Sequence, residues 1–228
     1  MESPLIVRPV PEDMSPRTKP EPQVRSPLGS AYLPSDDATD ENLIPYLGDE
    51  EAYQWYESFD NLGELLANPN PTRTLELLEK LLEHIVNDCK WSPNKIHLFG
   101  FGQGGSIALE LGLKWWKTHG GANRPECRLG SIVTIAGPLL SYPTLTPHCP
   151  TPMLAFHRPE SEQTRLTANE LAAFRKGFGN SIQEVKASRF GEGMPHSREE
   201  WEPIMKFWSS FLSRRSGSGL YQVLSGDA

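Results

Sequence analysis

Three things are scarce in this chain, and each scarcity excludes a class of protein. Long apolar runs are missing. The stretches present are strand-sized or amphipathic, and the amino-terminal MESPLIVRPVPEDM is too short and too broken by proline for a signal peptide or membrane span. Basic charge is also short: 22 Lys and Arg stand against 29 Asp and Glu, for a formal net charge of -7. Nucleic-acid binders normally carry a basic face, and no such cluster is present. Cysteine is limited to Cys89, Cys127 and Cys149, an odd and widely spaced set that suggests neither a disulfide framework nor a zinc site. What these absences leave is a soluble chain with reduced thiols, expected in the cytoplasm and possible in the nucleus as well.

Proline, by contrast, is plentiful and unevenly spread. Residues 1–48 hold nearly half of the 21 prolines together with many Ser, Asp and Glu. Such a segment buries too little apolar surface to offset its ordering entropy, so a largely disordered lead is expected, with at most one short edge strand at Leu5–Val10. A folded domain is expected over 49–213 and a flexible polar tail over 214–228. The overall apolar fraction of 37% fits a chain that is folded only in part.

From Glu50 the pattern changes. Tyr53, Trp55, Tyr56 and Phe59 form an aromatic cluster, and the turn Asn68–Pro71 precedes a predicted helix over Thr72–Asp88, with Leu75, Leu78, Leu82 and Ile85 along one face. KIHLF then predicts a short buried strand, followed by a helix over Gly104–Trp116 and a strand over Ser131–Ala136. Next come a strand over Pro152–His157, a capped helix over Thr167–Gly177, a strand over Ser181–Phe190 and a last helix over Ser197–Leu212. Strands alternating with helices of this length predict an α/β fold with a mostly parallel sheet and helices on both faces.

The loop HLFGFGQGGSIALE at 97–110 admits two readings. Gly100, Gly102 and Gly105 fit G-x-G-x-x-G, in which glycines let a pyrophosphate approach a helix N-terminus. The same residues fit the nucleophile elbow G-x-S-x-G with Gly102 where the serine should stand. A dinucleotide fold expects a carboxylate at the end of the next strand, but SIVTIAGP ends in Gly137 and Pro138. An elbow expects a late histidine on the loop before the last helix, and EGMPHS supplies His196. His84, His97, His119 and His148 show no ligand spacing.

On these residues the chain resembles the phospholipase/carboxylesterase family of α/β-hydrolases, which includes the acyl-protein thioesterases. FGFGQGGSIAL is similar to their Gly-Phe-Ser-Gln-Gly-Gly elbow, and GMPHSREEW to their histidine loop and final helix, within a similarity covering roughly residues 50–213. The resemblance implies an α/β-hydrolase-like fold with N-terminal strands reduced, no cofactor, and hydrolysis of carboxylic esters or thioesters. The ligand would be a small ester, a lipid or an acylated protein.

Carried over residue by residue, the resemblance puts a vacant nucleophile position at Gly102, a backbone oxyanion donor at Gln103 and the general base at His196. The acid position falls on Ser161, where it is lost, with Glu160 and Glu162 beside it as substitute acids. The Leu-His-Gly strand that would supply a second oxyanion donor has no counterpart in the first 50 residues. Losing the nucleophile alone lowers turnover about a million-fold in serine proteases, so activity is expected to be very weak or absent. Two further readings remain: a non-catalytic protein that binds an acyl ligand or partner in the same cleft, and nucleotide binding through the glycine loop.

Overall fold

The structure is a computed structural model and describes residues 54–121, 124–187 and 193–212. The proposed lead over 1–48, its Leu5–Val10 strand, Tyr53 and the tail over 214–228 lie outside the described residues.

Four strands form one parallel sheet in chain order: β1 (His97–Phe101), β2 (Ser131–Ile135), β3 (Met153–His157) and β4 (Ile182–Lys186). The registers His97↔Ser131, Ile132↔Met153 and Met153↔Ile182 align the carboxyl ends of all four strands along one edge. Four α-helices alternate with them: α1 (Thr72–Asn87), α2 (Gln103–His119), α3 (Ala168–Phe178) and α4 (Arg198–Phe211). Each element predicted within the described residues is present to within a few residues. The last strand is the exception: it ends at Lys186 rather than Phe190, and residues 188–190 lie outside the described set. Among the described residues no strand precedes β1.

The period-two pattern of the central strands explains the layers, because successive side chains point to opposite faces of a sheet. Ile132, Met153 and Ala155 face α2 and α3, where they meet Leu109, Leu113, Phe174 and Phe178. Val133, Ile135, Leu154 and Phe156 face the other way, onto Ile204 and Phe207 of α4. Both faces being covered, β2 and β3 are apolar almost throughout, and each fully buried Leu, Ile or Phe contributes about 1.5–3 kcal/mol. Helix α1 packs outside α2, with Leu75 and Leu82 against Ile107, Leu111 and Trp115.

Helix ends follow the sequence signals. Thr167 and Glu170 form a capping box at the start of α3, and the Ser197 hydroxyl accepts from the Glu200 N–H at the start of α4. The aromatic cluster upstream is split by the fold. Trp55 and Tyr56 pack beside α1 and α2, whereas Phe59 is exposed and bridges to Leu65 across a turn at Gly63. No helix among the described residues is long and apolar enough to cross a membrane.

Candidate active site

The elbow sits where β1 becomes α2. The Gly102 N–H donates to the Ile135 carbonyl at 2.9 Å, extending the β1–β2 ladder by one bond before the chain turns sharply. Gly102 itself holds φ 53° and ψ -122°, a conformation that L-residues adopt only under strain. A Cβ built on it would meet nothing within 4 Å, so the turn apex is open to a side chain while its backbone favours glycine. Gly100 and Gly105 are needed for a different reason. A Cβ on Gly100 would overlap the Gly104 carbonyl, and one on Gly105 the Thr134 hydroxyl, because strand and helix backbones press together there.

Gln103 is the first residue of α2, so its backbone N–H has no acceptor within the helix and points out of the helix start. Its side chain has a role that the sequence did not reveal. Oε1 accepts from the Trp55 N–H at 3.0 Å, and Nε2 donates to Ser58 Oγ at 2.7 Å and to the Tyr56 carbonyl at 3.3 Å. The segment 55–58 is thereby fastened across the elbow, with the Trp55 indole nitrogen 3.3 Å from the position a Gly104 Cβ would take. Ser106 is fully buried in α2 beside the Tyr56 phenol, whose pKa burial pushes up, so its Oγ does not reach the turn apex.

His196 reaches the same side of the sheet by way of α4. The Trp201 indole donates to the Pro195 carbonyl at 2.9 Å and stacks on Phe99 of β1, ring centroids 6.2 Å apart. Met194 joins the apolar cluster that also holds Phe101, the residue before Gly102. The histidine loop is thus anchored on the strand that carries the elbow, although β4 is three strands away. His196 is exposed, and its imidazole takes no hydrogen bond or ion pair among the described residues.

Between β3 and the lost acid position at Ser161 lies a buried cation. Arg158 is 1% exposed, donates through Nε to Glu200 Oε1 at 2.9 Å, and donates through its two terminal nitrogens to the carbonyls of Gly193 and Met194 at 2.9 and 3.4 Å. Glu200 Oε2 in turn accepts the backbone N–H of His196 at 2.9 Å. Arg158 and Glu200 therefore hold the histidine loop by its backbone, without touching the imidazole. Ser161 lies in the following turn, its N–H bonded to the Arg158 carbonyl, while Glu160 and Glu162 are exposed.

His157, one residue earlier, is similarly committed. Its Nδ1 accepts the Leu166 N–H at 3.3 Å, which leaves Nε2 to carry the hydrogen and donate to Glu184 Oε1 at 3.0 Å. One signal for both pairs was present in the sequence: a His-Arg dipeptide closing an all-apolar strand must find partners when buried.

The two acidic partners have a measurable consequence. Burial pushes the Glu200 carboxyl up, but the Arg158 hydrogen bond and charge and the His196 and Ser197 N–H groups more than offset it, and its pKa lies below the usual value. Glu184 is likewise held low, against its burial, by His157 and Lys186. A carboxylate with a depressed folded pKa contributes stability that is full above its unfolded value, about 4.3, and is lost as pH falls through the folded value. Glu200→Gln is therefore expected to melt below the parent at pH 7, with the gap closing as pH falls through the lowered folded value, read by thermal melts across pH.

No family model matches the chain. It is 36% identical over 173 residues to an uncharacterized hydrolase of Mycosarcoma maydis, a match covering 75% of this chain and 62% of that protein, so it spans less than two thirds of its relative's length. Among solved structures, esterase PE8 superposes with a TM-score of 0.55 at 18% identity, covering 71% of each chain. Arabidopsis thaliana SOBER1 gives 0.53 at 15% identity, over 72% of this chain and 76% of that one. Zea mays acyl-protein thioesterase 2 gives 0.53 at 17% identity, over 72% and 74%. At these identities the superpositions establish the shared fold.

Proposed function

We propose that the chain is a member of the phospholipase/carboxylesterase family of α/β-hydrolases, and that its elbow and histidine loop form a site for a carboxylic ester or thioester at which hydrolysis is very slow or absent. The observation carrying this reading is Gly102: a turn with open space at its apex and no oxygen to attack an acyl carbon. The backbone N–H of Gln103 is the donor best placed to stabilise a developing oxyanion, and it needs no particular side chain. His196 is the base. In the absence of a serine it would have to take a proton from water as the water oxygen adds to the carbonyl, then return it to the departing alcohol or thiol. Among the described residues the imidazole makes no hydrogen bond with Ser161, Glu160 or Glu162.

A second reading follows from the same site. Trp55, Ser58, Arg158 and Glu200 keep the elbow and loop ordered without a nucleophile, which suits a protein that binds an acyl ligand or a partner and does not turn it over. Nucleotide binding draws the least support, since Gly100 and Gly105 are occupied in packing strand against helix.

The test is turnover of a p-nitrophenyl ester by purified protein, alongside labelling by a fluorophosphonate. Release at the uncatalysed rate and no labelling are expected. Turnover that disappears in His196→Ala would contradict the inactive reading, and saturable binding of labelled NAD would contradict the site assignment itself.

A further inference from the structure

Away from the elbow, the carboxyl end of α1 assembles a thiol, an imidazole and a carboxylate. His84 Nδ1 lies 2.6 Å from Asp88 Oδ2, and His84 Nε2 lies 3.9 Å from Cys89 Sγ. The helix ending sets this arrangement. The N–H groups of Asp88 and Cys89 both donate to the His84 carbonyl, at 2.9 and 3.1 Å, and Lys90 at φ 59° turns the chain so that Trp91 N–H reaches the Ile85 carbonyl. Cys89 is thereby folded back over the residue five positions earlier. A carboxylate on Nδ1 fixes the tautomer that leaves Nε2 free to accept a proton from the thiol.

We propose that Cys89 is a base-assisted nucleophilic thiol that is modified by small disulfides. In the step, the Cys89 S–H proton passes to His84 Nε2, sulfur attacks one sulfur of the disulfide, the S–S bond breaks, and the other half leaves as a thiolate. The product is a mixed disulfide on Cys89, with no external oxidant required. Metal binding is a poorer account, since no group of three or more His, Cys, Asp or Glu among the described residues could hold a metal ion. The other cysteines provide internal standards. Cys127 is partly buried, and Cys149 is buried with its thiol pKa pushed up by that burial.

This inference is independent of the elbow. It is tested on the full chain with the aromatic disulfide 5,5′-dithiobis(2-nitrobenzoate), following absorbance and locating the adduct by peptide mass spectrometry. Cys89 is expected to react first and faster than free glutathione at pH 7. His84→Asn should slow it on the order of ten-fold, short of the roughly 10²–10⁴ of an enclosed base, with Asp88→Asn in between. The rate at Cys127 should not change. Because His84 and Asp88 are exposed, both variants are expected to keep the parent melting temperature. Equal Cys89 rates in parent and His84→Asn would overturn the proposal, as would first reaction at Cys127.

Discussion

Gly102→Ser is expected to turn a chain that fluorophosphonates leave unlabelled into one labelled at position 102, and to raise p-nitrophenyl ester turnover about a hundred-fold. The size follows from the parts present. In a subtilisin-type triad, removing the nucleophile or the base costs about 2 × 10⁶ in turnover, while removing the acid alone costs about 3 × 10⁴. If His196 serves the restored serine as its base, the variant, still without an acid, regains roughly the ratio of the two. Space is available, because a Cβ at position 102 meets nothing within 4 Å. Backbone strain opposes the change: at φ 53° and ψ -122° a non-glycine residue costs about 1–3 kcal/mol, so the variant should melt below the parent even as it gains chemistry. His196→Ala in the same background should remove the gain. A serine variant that folds, binds no fluorophosphonate and turns over nothing would mean that the loop does not present its apex to substrate.

The second large effect concerns the buried cation. Glu200→Ala strips Arg158 of its ion-pair partner while the guanidinium stays 1% exposed, and Arg158→Met leaves Glu200 facing it without a counter-charge. Each single change is expected to cost about 3–5 kcal/mol, measured from urea midpoints, because an uncompensated buried charge remains. The double variant Arg158→Met with Glu200→Leu should recover much of that loss, since desolvating the pair offsets much of its attraction. Recovery of stability would not extend to the site. The Gly193 and Met194 carbonyls and the His196 N–H would still lack the partners that place the loop, so in a Gly102→Ser background the double variant should stay as slow as either single one. Additive losses, with no recovery in the double, would show that the two residues do not act as a pair.

Most of the fold was legible because its elements are strongly patterned. The Leu75, Leu78, Leu82, Ile85 stripe and the Thr167–Glu170 box fixed α1 and α3, and the all-apolar SIVTI and MLAFH marked strands covered on both faces. The place of Gly102 at a sharp strand-to-helix turn could also be read, since the glycines around it only make sense where two backbones nearly touch. What local sequence cannot express is pairing over long separations. Arg158 finds Glu200 across 42 residues and Gln103 finds Trp55 across 48, and neither partner follows from periodicity or spacing. Glu160 and Glu162 flank the lost acid position, and the turn after β3 leaves both exposed. Spacing alone puts Phe59 with Trp55 and Tyr56, but the turn in which Asp60 accepts from the Leu62, Gly63 and Glu64 N–H groups carries it to the surface.

Under the proposed function, Gly102 holds the apex of a nucleophile elbow that lacks its oxygen. This is tested most directly by fluorophosphonate labelling of the parent, Gly102→Ser and Gly102→Ser with His196→Ala, with the modified peptide identified by mass spectrometry. The expected result is no adduct in the parent, an adduct on the 102 peptide in the serine variant, and strong loss of that adduct when His196 is removed. An adduct on the parent at any serine, or a serine variant labelled equally well without His196, would contradict it.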